Sequence, residues 1–160
     1  MDRLTVRPPV DEELRTLAEL RWDWIREKGE RPTISRGEFI ASFTRWACQN
    51  SSSHRPMIML RGREIIGMAW LALLPRVPTP HAVERSCGDV QCVYVVPGER
   101  GQSHGGRLIS AIMRLARELG LERVTVHSSD RAVPAYKRHG FSSSPRLLQA
   151  GMTTPGFRSL

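Results

Sequence analysis

The chain has 160 residues, 40% of them apolar, with 24 Lys and Arg against 16 Asp and Glu for a net charge of +8 with histidine neutral. That length is one ordinary domain with barely room for a second, and the apolar share is enough for a core, which excludes a disordered tail. No apolar run approaches the ~18 residues of a membrane span, the start Met1-Asp2-Arg3-Leu4 lacks a signal-peptide layout, and Cys48, Cys87 and Cys92 form no CxxC pair; a soluble, cytoplasmic protein is expected, and a secreted disulfide scaffold is excluded.

Leu4 and Val6 alternate with polar residues up to Pro8-Pro9, which predicts a short first strand. Asp11 is placed to cap a helix, with Glu12 and Glu13 in its first turn. Leu14, Leu17, Ala18, Trp24 and Ile25 recur near helical spacing until Gly29 and Pro32. Trp22 and Trp24 cannot share one helix stripe, so one of them is free for a cleft or an interface. Ser35 and Glu38 form a capping box for a second helix carrying Phe39, Phe43, Trp46 and Ala47. The period then changes: Met57 to Leu60 and Glu64 to Leu74 predict a hairpin turning at Arg61-Gly62-Arg63. Pro75, Pro78 and Pro80 lead into a loop over 79–88.

Asp89 to Val96 predicts the next strand, with Val90, Cys92, Tyr94 and Val96 on one face and Asp89, Gln91, Val93 and Val95 on the other. Leu108, Ile109, Ile112, Met113, Ala116 and Leu119 mark an amphipathic helix closed by Gly120. Val124, Val126 and His127 read as a strand, and Asp130 to His139 as a short helix ending at Gly140. Phe141 opens a last pairing that Pro145 interrupts before Leu147 and Leu148. One α/β domain over residues 1–150 is expected, with 151–160 a frayed tail.

Of the 24 basic residues only Lys28 and Lys137 are lysines, and Arg100, Arg107, Arg114 and Arg117 follow one another with no acid between them. A solvated helix face, a nucleic-acid footprint and a small polyanion are the three readings of that stretch. It overlaps Gly101, Gln102, Ser103, His104, Gly105 and Gly106, a strand-to-helix turn in which unpaired N–H groups and missing side chains make an anion nest. Neither G-x-G-x-x-G nor a GK[ST] P-loop is present.

These residues resemble the GCN5-related N-acetyltransferases. Arg100-Gly101-Gln102-Ser103-His104-Gly105, after Val95-Val96-Pro97, is similar to the family's Arg/Gln-x-x-Gly-x-Gly/Ala loop. Ala132 to Phe141, with Tyr136 and Gly140, is similar to its second signature. Ser103 departs from the pattern, standing at the usual middle glycine. The resemblance implies a mixed, mostly antiparallel sheet with a central parallel strand pair flanked by helices, and acetyl-coenzyme A lying where strands 89–96 and 123–127 splay. It further implies that the Val95 backbone holds the thioester or pantetheine, with a bulge near Tyr94 or Val95. Val96, Arg100, Gly101, Gln102, Ser103, His104, Gly105, Gly106 and Arg107 would then form the cofactor cradle, which assigns the positive stretch to a cofactor rather than to nucleic acid.

The chemistry implied is direct attack of an amine, of a small molecule or a protein, on the thioester. By resemblance Tyr136 is the acid for the leaving thiolate. Asp89 is the leading base, with Glu84, His81 or no dedicated base as alternatives. A non-catalytic acyl-CoA-binding regulator on the same fold is the competing reading. Cys92 reads as core, and the histidines lack metal-ligand spacing, so no metal is expected. Homodimers are common in such folds, but the sequence carries no direct dimer signature, and neither membrane nor nucleic acid is expected as a partner.

Overall fold

Residues 3–152 are described in a computed structural model. Strand β1 (Leu4–Arg7) ends where Pro8 and Pro9 remove backbone donors. The cap after it is not Asp11: the Glu13 carboxylate turns back to accept the Val10 N–H at 2.8 Å and both Arg7 terminal nitrogens at 2.8 Å. The bidentate Arg7 pair holds the Glu13 carboxylate in place as the acceptor at the helix entry. Helix α1 (Leu14–Glu27) follows, and then α2 (Arg36–Gln49). The α2 start is the expected capping box, Ser35 Oγ accepting from the Glu38 N–H and Glu38 from the Ser35 N–H.

Strands β2 (His54–Arg61) and β3 (Glu64–Pro75) form the hairpin, β4 spans Ser86–Val95, and α3 spans His104–Glu118. A short strand β5 (Val124–Val126) and helix α4 (Val133–Arg138) complete the described elements. The sheet order is β1-β2-β3-β4-β5, antiparallel except for the β4–β5 pair. The expected strands after Phe141 are absent. Ser144 instead accepts from the backbone of Arg146 and Leu147 in a turn around Pro145, leaving Leu147 and Leu148 60% and 86% exposed. The parallel pair therefore closes the described sheet rather than lying at its centre. Residues 153–160 of the expected tail lie outside the described residues.

The sheet is covered on both faces. Leu108, Ile109, Ile112 and Ala116 of α3 pack with Met59, Ile66, Leu71, Val90 and Val95. On the opposite face Leu14, Leu17 and Leu20 of α1 and Ala47 of α2 meet Ile58, Leu60, Met68, Trp70 and Tyr94. Each fully buried Leu or Ile contributes about 1.5–3 kcal/mol, so the strong apolar stripe of α3 commits it to the sheet. Leu119 caps it, Gly120 turns left-handed at φ 68°, and the Leu121 N–H reaches back to the Ala116 carbonyl at 3.1 Å.

Two bulges reset which residues face which helix. Met59 opposes Gly67 but Leu60 opposes Ile65, so Ile66 is an extra residue in β3. Trp70 opposes Gln91 and Met68 opposes Tyr94, so Cys92 and Val93 together oppose Ala69. Cys92 sits at φ 57°. The bulge thus lies just before the position the sequence suggested, and it breaks the expected alternation. Val90 and Val95, an odd number apart, both face α3, whereas Tyr94 joins the face carrying α1. Among the described residues no helix is long and apolar enough to cross a membrane.

Candidate active site

The pairing of β4 with β5 lasts for Gly88–Val124, Asp89–Thr125 and Val90–Val126 and then stops. Beyond it the strands part. Gln91, Cys92 and Val93 border one side of the opening and His127, Ser128 and Ser129 the other, in a cleft of about 630 Å³. The α1 and α2 side of this cleft is walled by Trp24, Phe43, Trp46 and Trp70. A Cβ on Gly88 would lie 2.8 Å from the side-chain ends of both Leu71 and Leu121, which would have to shift to admit it.

Asp89 and Tyr136, placed far apart in the chain, both line the cleft. Asp89 accepts from Thr125 Oγ1 at 2.8 Å and from Gln91 Nε2 at 3.1 Å, which holds its carboxylate toward the opening. The Tyr136 ring is 8% exposed, packed edge-on against Phe141, and its hydroxyl makes no hydrogen bond among the described residues. Burial, and then the negative Asp89, push the Tyr136 phenol up to about 12. His81 and Glu84 are exposed on the loop between β3 and β4 and do not line the cleft.

In the loop that joins β4 to α3 the backbone N–H groups from Gly101 through Gly106 have no acceptor among the described residues; Arg107, the next one, donates to the Ser103 carbonyl, and Ser103, Gly106 and Arg107 border a depression of their own with Arg114 and Arg138. Gly101 and Gly105 face open space, with nothing within 4 Å of where a Cβ would stand. Gly101 and Ser103 both have positive φ, 80° and 61°, so serine holds the left-handed conformation that glycine would adopt freely. Gly106 serves packing as well, because a Cβ there would approach His139 Cε1 at 3.0 Å. Gln102 and Arg107 are exposed, and Arg107 forms no ion pair among the described residues.

Four sequence-predicted residues have other engagements. Arg100 donates from Nε to the Val95 carbonyl at 2.9 Å and from Nη2 to Glu27 at 2.8 Å, tying the loop to α1 rather than pointing into the nest. Val95 is buried against α3, and the Val96 N–H is spent on the Ile66 carbonyl at 2.9 Å. The His104 side chain is 4% exposed and turned inward, 3.5 Å from a Glu99 carboxylate that Arg61 already clasps at 2.7 and 2.9 Å. Only its backbone N–H is left for an anion. Cys92 packs against the cluster that holds Trp70 and Tyr94, as its core reading expected, and it is also part of the bulge; desolvation raises its thiol pKa despite nearby Arg21 and Lys28.

The sequence reading missed Glu27 and Tyr94. The Tyr94 hydroxyl donates to Glu27, whose other oxygen takes Arg100. Burial drives the Glu27 carboxyl up, but the Tyr94 and Arg100 hydrogen bonds outweigh it and hold it below its ordinary value, while burial and Glu27 together raise Tyr94. Only the helical phase of α1 hinted at this cluster, through Arg21, Trp24 and Lys28 at positions i, i+3 and i+7.

The family model for the acetyltransferase (GNAT) family matches residues 14–141. The chain belongs to the GNAT acetyltransferases. A glucosamine 6-phosphate N-acetyltransferase of Trypanosoma brucei brucei is 30% identical over 85 residues, a match spanning 53% of this chain and 56% of that protein. Among solved structures, a predicted acetyltransferase with acetyl-CoA from Clostridium acetobutylicum superposes with a TM-score of 0.76 at 19% identity, covering 93% of this chain and 96% of that one. An acetyltransferase from Trypanosoma brucei gives 0.70 at 25% identity, covering 94% and 100%. Acetyl-CoA is the acyl donor of the GNAT family. The run of unpaired N–H groups, the open sides of Gly101 and Gly105 and the parted strands fit such a group.

Proposed function

We propose that this protein is an N-acetyltransferase that moves the acetyl group of acetyl-CoA to a primary amine by direct attack within a ternary complex. The observation that carries this reading is the parting of β4 from β5 after Val90–Val126, with Tyr136 and Asp89 on its walls, together with the unpaired N–H groups of Gly101 to Gly106 in the loop between β4 and α3. Bound acetyl-CoA supplies an electrophilic thioester carbonyl. The loop N–H groups and Arg107 hold its diphosphate. Tyr136 donates a proton to the departing sulfur. Asp89, held by Thr125 and Gln91, takes the proton that the amine loses, directly or through a water. Its place on the cleft wall favours it over Glu84 and His81.

The raised phenol keeps Tyr136 protonated through the neutral and mildly alkaline range, so its ionisation produces no falling limb there. Titration calorimetry with acetyl-CoA and a coenzyme-release assay over a panel of amines test the proposal. Tyr136→Phe is expected to lower kcat about 100-fold, within the usual span of general acid catalysis, while the acetyl-CoA Kd changes less than about threefold. Equal losses in both would reduce Tyr136 to a packing residue. Absence of acetyl-CoA binding would overturn the whole reading, and binding without turnover on any amine would favour the non-catalytic acyl-CoA regulator.

A further inference from the structure

The last two turns of α1 present a positive, flat-walled surface to the cleft. The Arg21 guanidinium lies 4.8 Å from the Trp24 ring centre and the Lys28 ammonium 4.6 Å from it, and all three residues line the opening. Neither cation has a carboxylate within 4 Å among the described residues. The acid adjacent in sequence to Lys28 is Glu27, and both its oxygens are taken, one by Tyr94 and one by Arg100. The same two bonds anchor the end of α1 to β4 and to the loop before α3, fixing the two cations at the rim. Trp24 is held from its side by stacking on Tyr94 at 5.5 Å.

The opposite polarity sits on another wall. Asp89 is the one carboxylate lining the cleft among the described residues, and it belongs to β4, across from α1. The aromatic rings of Trp24, Phe43 and Trp70 line the same opening. Cations held on an aromatic face with no carboxylate partner are sites for anions, because their hydrogen bonds are strongest to a negatively charged acceptor. A cavity of about 630 Å³ falls among small-molecule sites, which span about 300–1,000 Å³.

We propose that the acceptor is a small primary amine that also carries an anionic group, phosphate or carboxylate, held by Arg21 and Lys28 while its amine faces Asp89. Arg21 and Lys28 are then the specificity-determining residues of the acceptor site. This rests on the acetyltransferase reading above. An amine lacking the anion leaves both cations without an anionic partner, and an acidic peptide is the rival occupant.

The test uses acceptors paired by chemistry: glucosamine 6-phosphate against glucosamine for phosphate, tyrosine against tyramine for carboxylate, and an acidic peptide with a free N-terminus. Kd, from tryptophan fluorescence in the presence of CoA, and kcat/KM are measured for each. The anionic member of at least one pair is expected to win by at least about tenfold, the effect of one charge-assisted contact, and the pair that responds identifies phosphate or carboxylate. Arg21→Gln with Lys28→Gln is expected to bring that ratio within about twofold of unity, whereas Arg21→Lys with Lys28→Arg retains it, which separates charge from packing. Added salt is expected to shrink the wild-type ratio. No preference for the anionic member in either pair, no binding of any of them, a ratio indifferent to the glutamine variant, or preferential use of the acidic peptide each overturns the proposal. Acetyl-CoA calorimetry on every preparation keeps the two readings apart: lost acetyl-CoA binding in the wild type sinks the acetyltransferase reading, while intact binding without anion preference sinks only this one.

Discussion

Ser103 tests whether the loop before α3 acts through its backbone alone. Its φ of 61° and ψ of 21° are left-handed, its side chain is exposed, and it makes no hydrogen bond to the helix start. An L-residue in that conformation costs roughly 1–2 kcal/mol that glycine avoids. Glycine in turn costs about 0.4–1 kcal/mol through the greater freedom of the unfolded chain. Ser103→Gly is therefore expected to stabilise the fold by about 0.5–1 kcal/mol, or roughly 1–4 °C in Tm for a domain of this length. The Ser103 N–H survives the change, so the acetyl-CoA Kd is expected to shift less than about threefold. Ser103→Val, a β-branched residue in the same conformation, is expected to lose at least ~1 kcal/mol instead. Equilibrium denaturation in urea and titration calorimetry measure both quantities. Destabilisation of Ser103→Gly by more than about 1 kcal/mol, or a tenfold loss of acetyl-CoA affinity, would show that the hydroxyl makes a contact of its own and refute the backbone argument.

A Cβ on Gly67 would lie 2.9 Å from the Tyr94 carbonyl and 3.1 Å from Leu108 Cδ1, so Gly67→Ala is expected to cost about 1–3 kcal/mol in urea denaturation, and a cost below about 0.5 kcal/mol would contradict the close approach of β3 to β4. Glu27→Gln removes a carboxylate whose pKa is depressed in the folded state; such a group stabilises above its unfolded pKa and loses that contribution as pH falls through the folded one. The variant is expected to be about 1 kcal/mol less stable at neutral pH and to converge with the wild type as the pH falls through the depressed folded-state value, with an undiminished gap in acid refuting the assignment.

The parts of the chain governed by local rules were legible before any coordinates. Pro8-Pro9 ended β1, Ser35 and Glu38 capped α2, the apolar stripe of α3 ran into Gly120, and the glycine-rich turn opened a helix with its N–H groups unspent. What escaped depends on partners distant in sequence. Asp11 lost the helix entry to Glu13 because Arg7 was in reach, and Arg100 was drawn from the anion nest by Glu27, which lies 73 residues away. His104 read as a solvent-facing or phosphate-facing residue, yet it is buried beside Glu99, whose own partner Arg61 comes from the β2–β3 hairpin. The strands expected from Phe141 rested on apolar residues alone, and Leu147 and Leu148 find nothing to pack against among the described residues.

The extra residue at Cys92 explains why the facing of β4 along the cleft escaped a period-two reading. Without it, Tyr94 would share the face of Val90 and point at α3, and Val95 would point at α1. With it, Asp89, Gln91 and Tyr94 stand on the α1 side, while Val90 and Val95 hold α3 in place. Tyr94 can then stack on Trp24 and donate to Glu27, which fixes the end of α1 and with it Arg21 and Lys28. The same bulge falls where β4 leaves β5, since the last parallel pair is Val90–Val126 and the two extra-facing residues follow within three positions. One inserted residue thus opens the strands and turns the aromatic ring toward the helix that bounds the opening. The strain of a non-glycine residue at φ 57° is concentrated at the place where the two substrates of a transferase would have to meet.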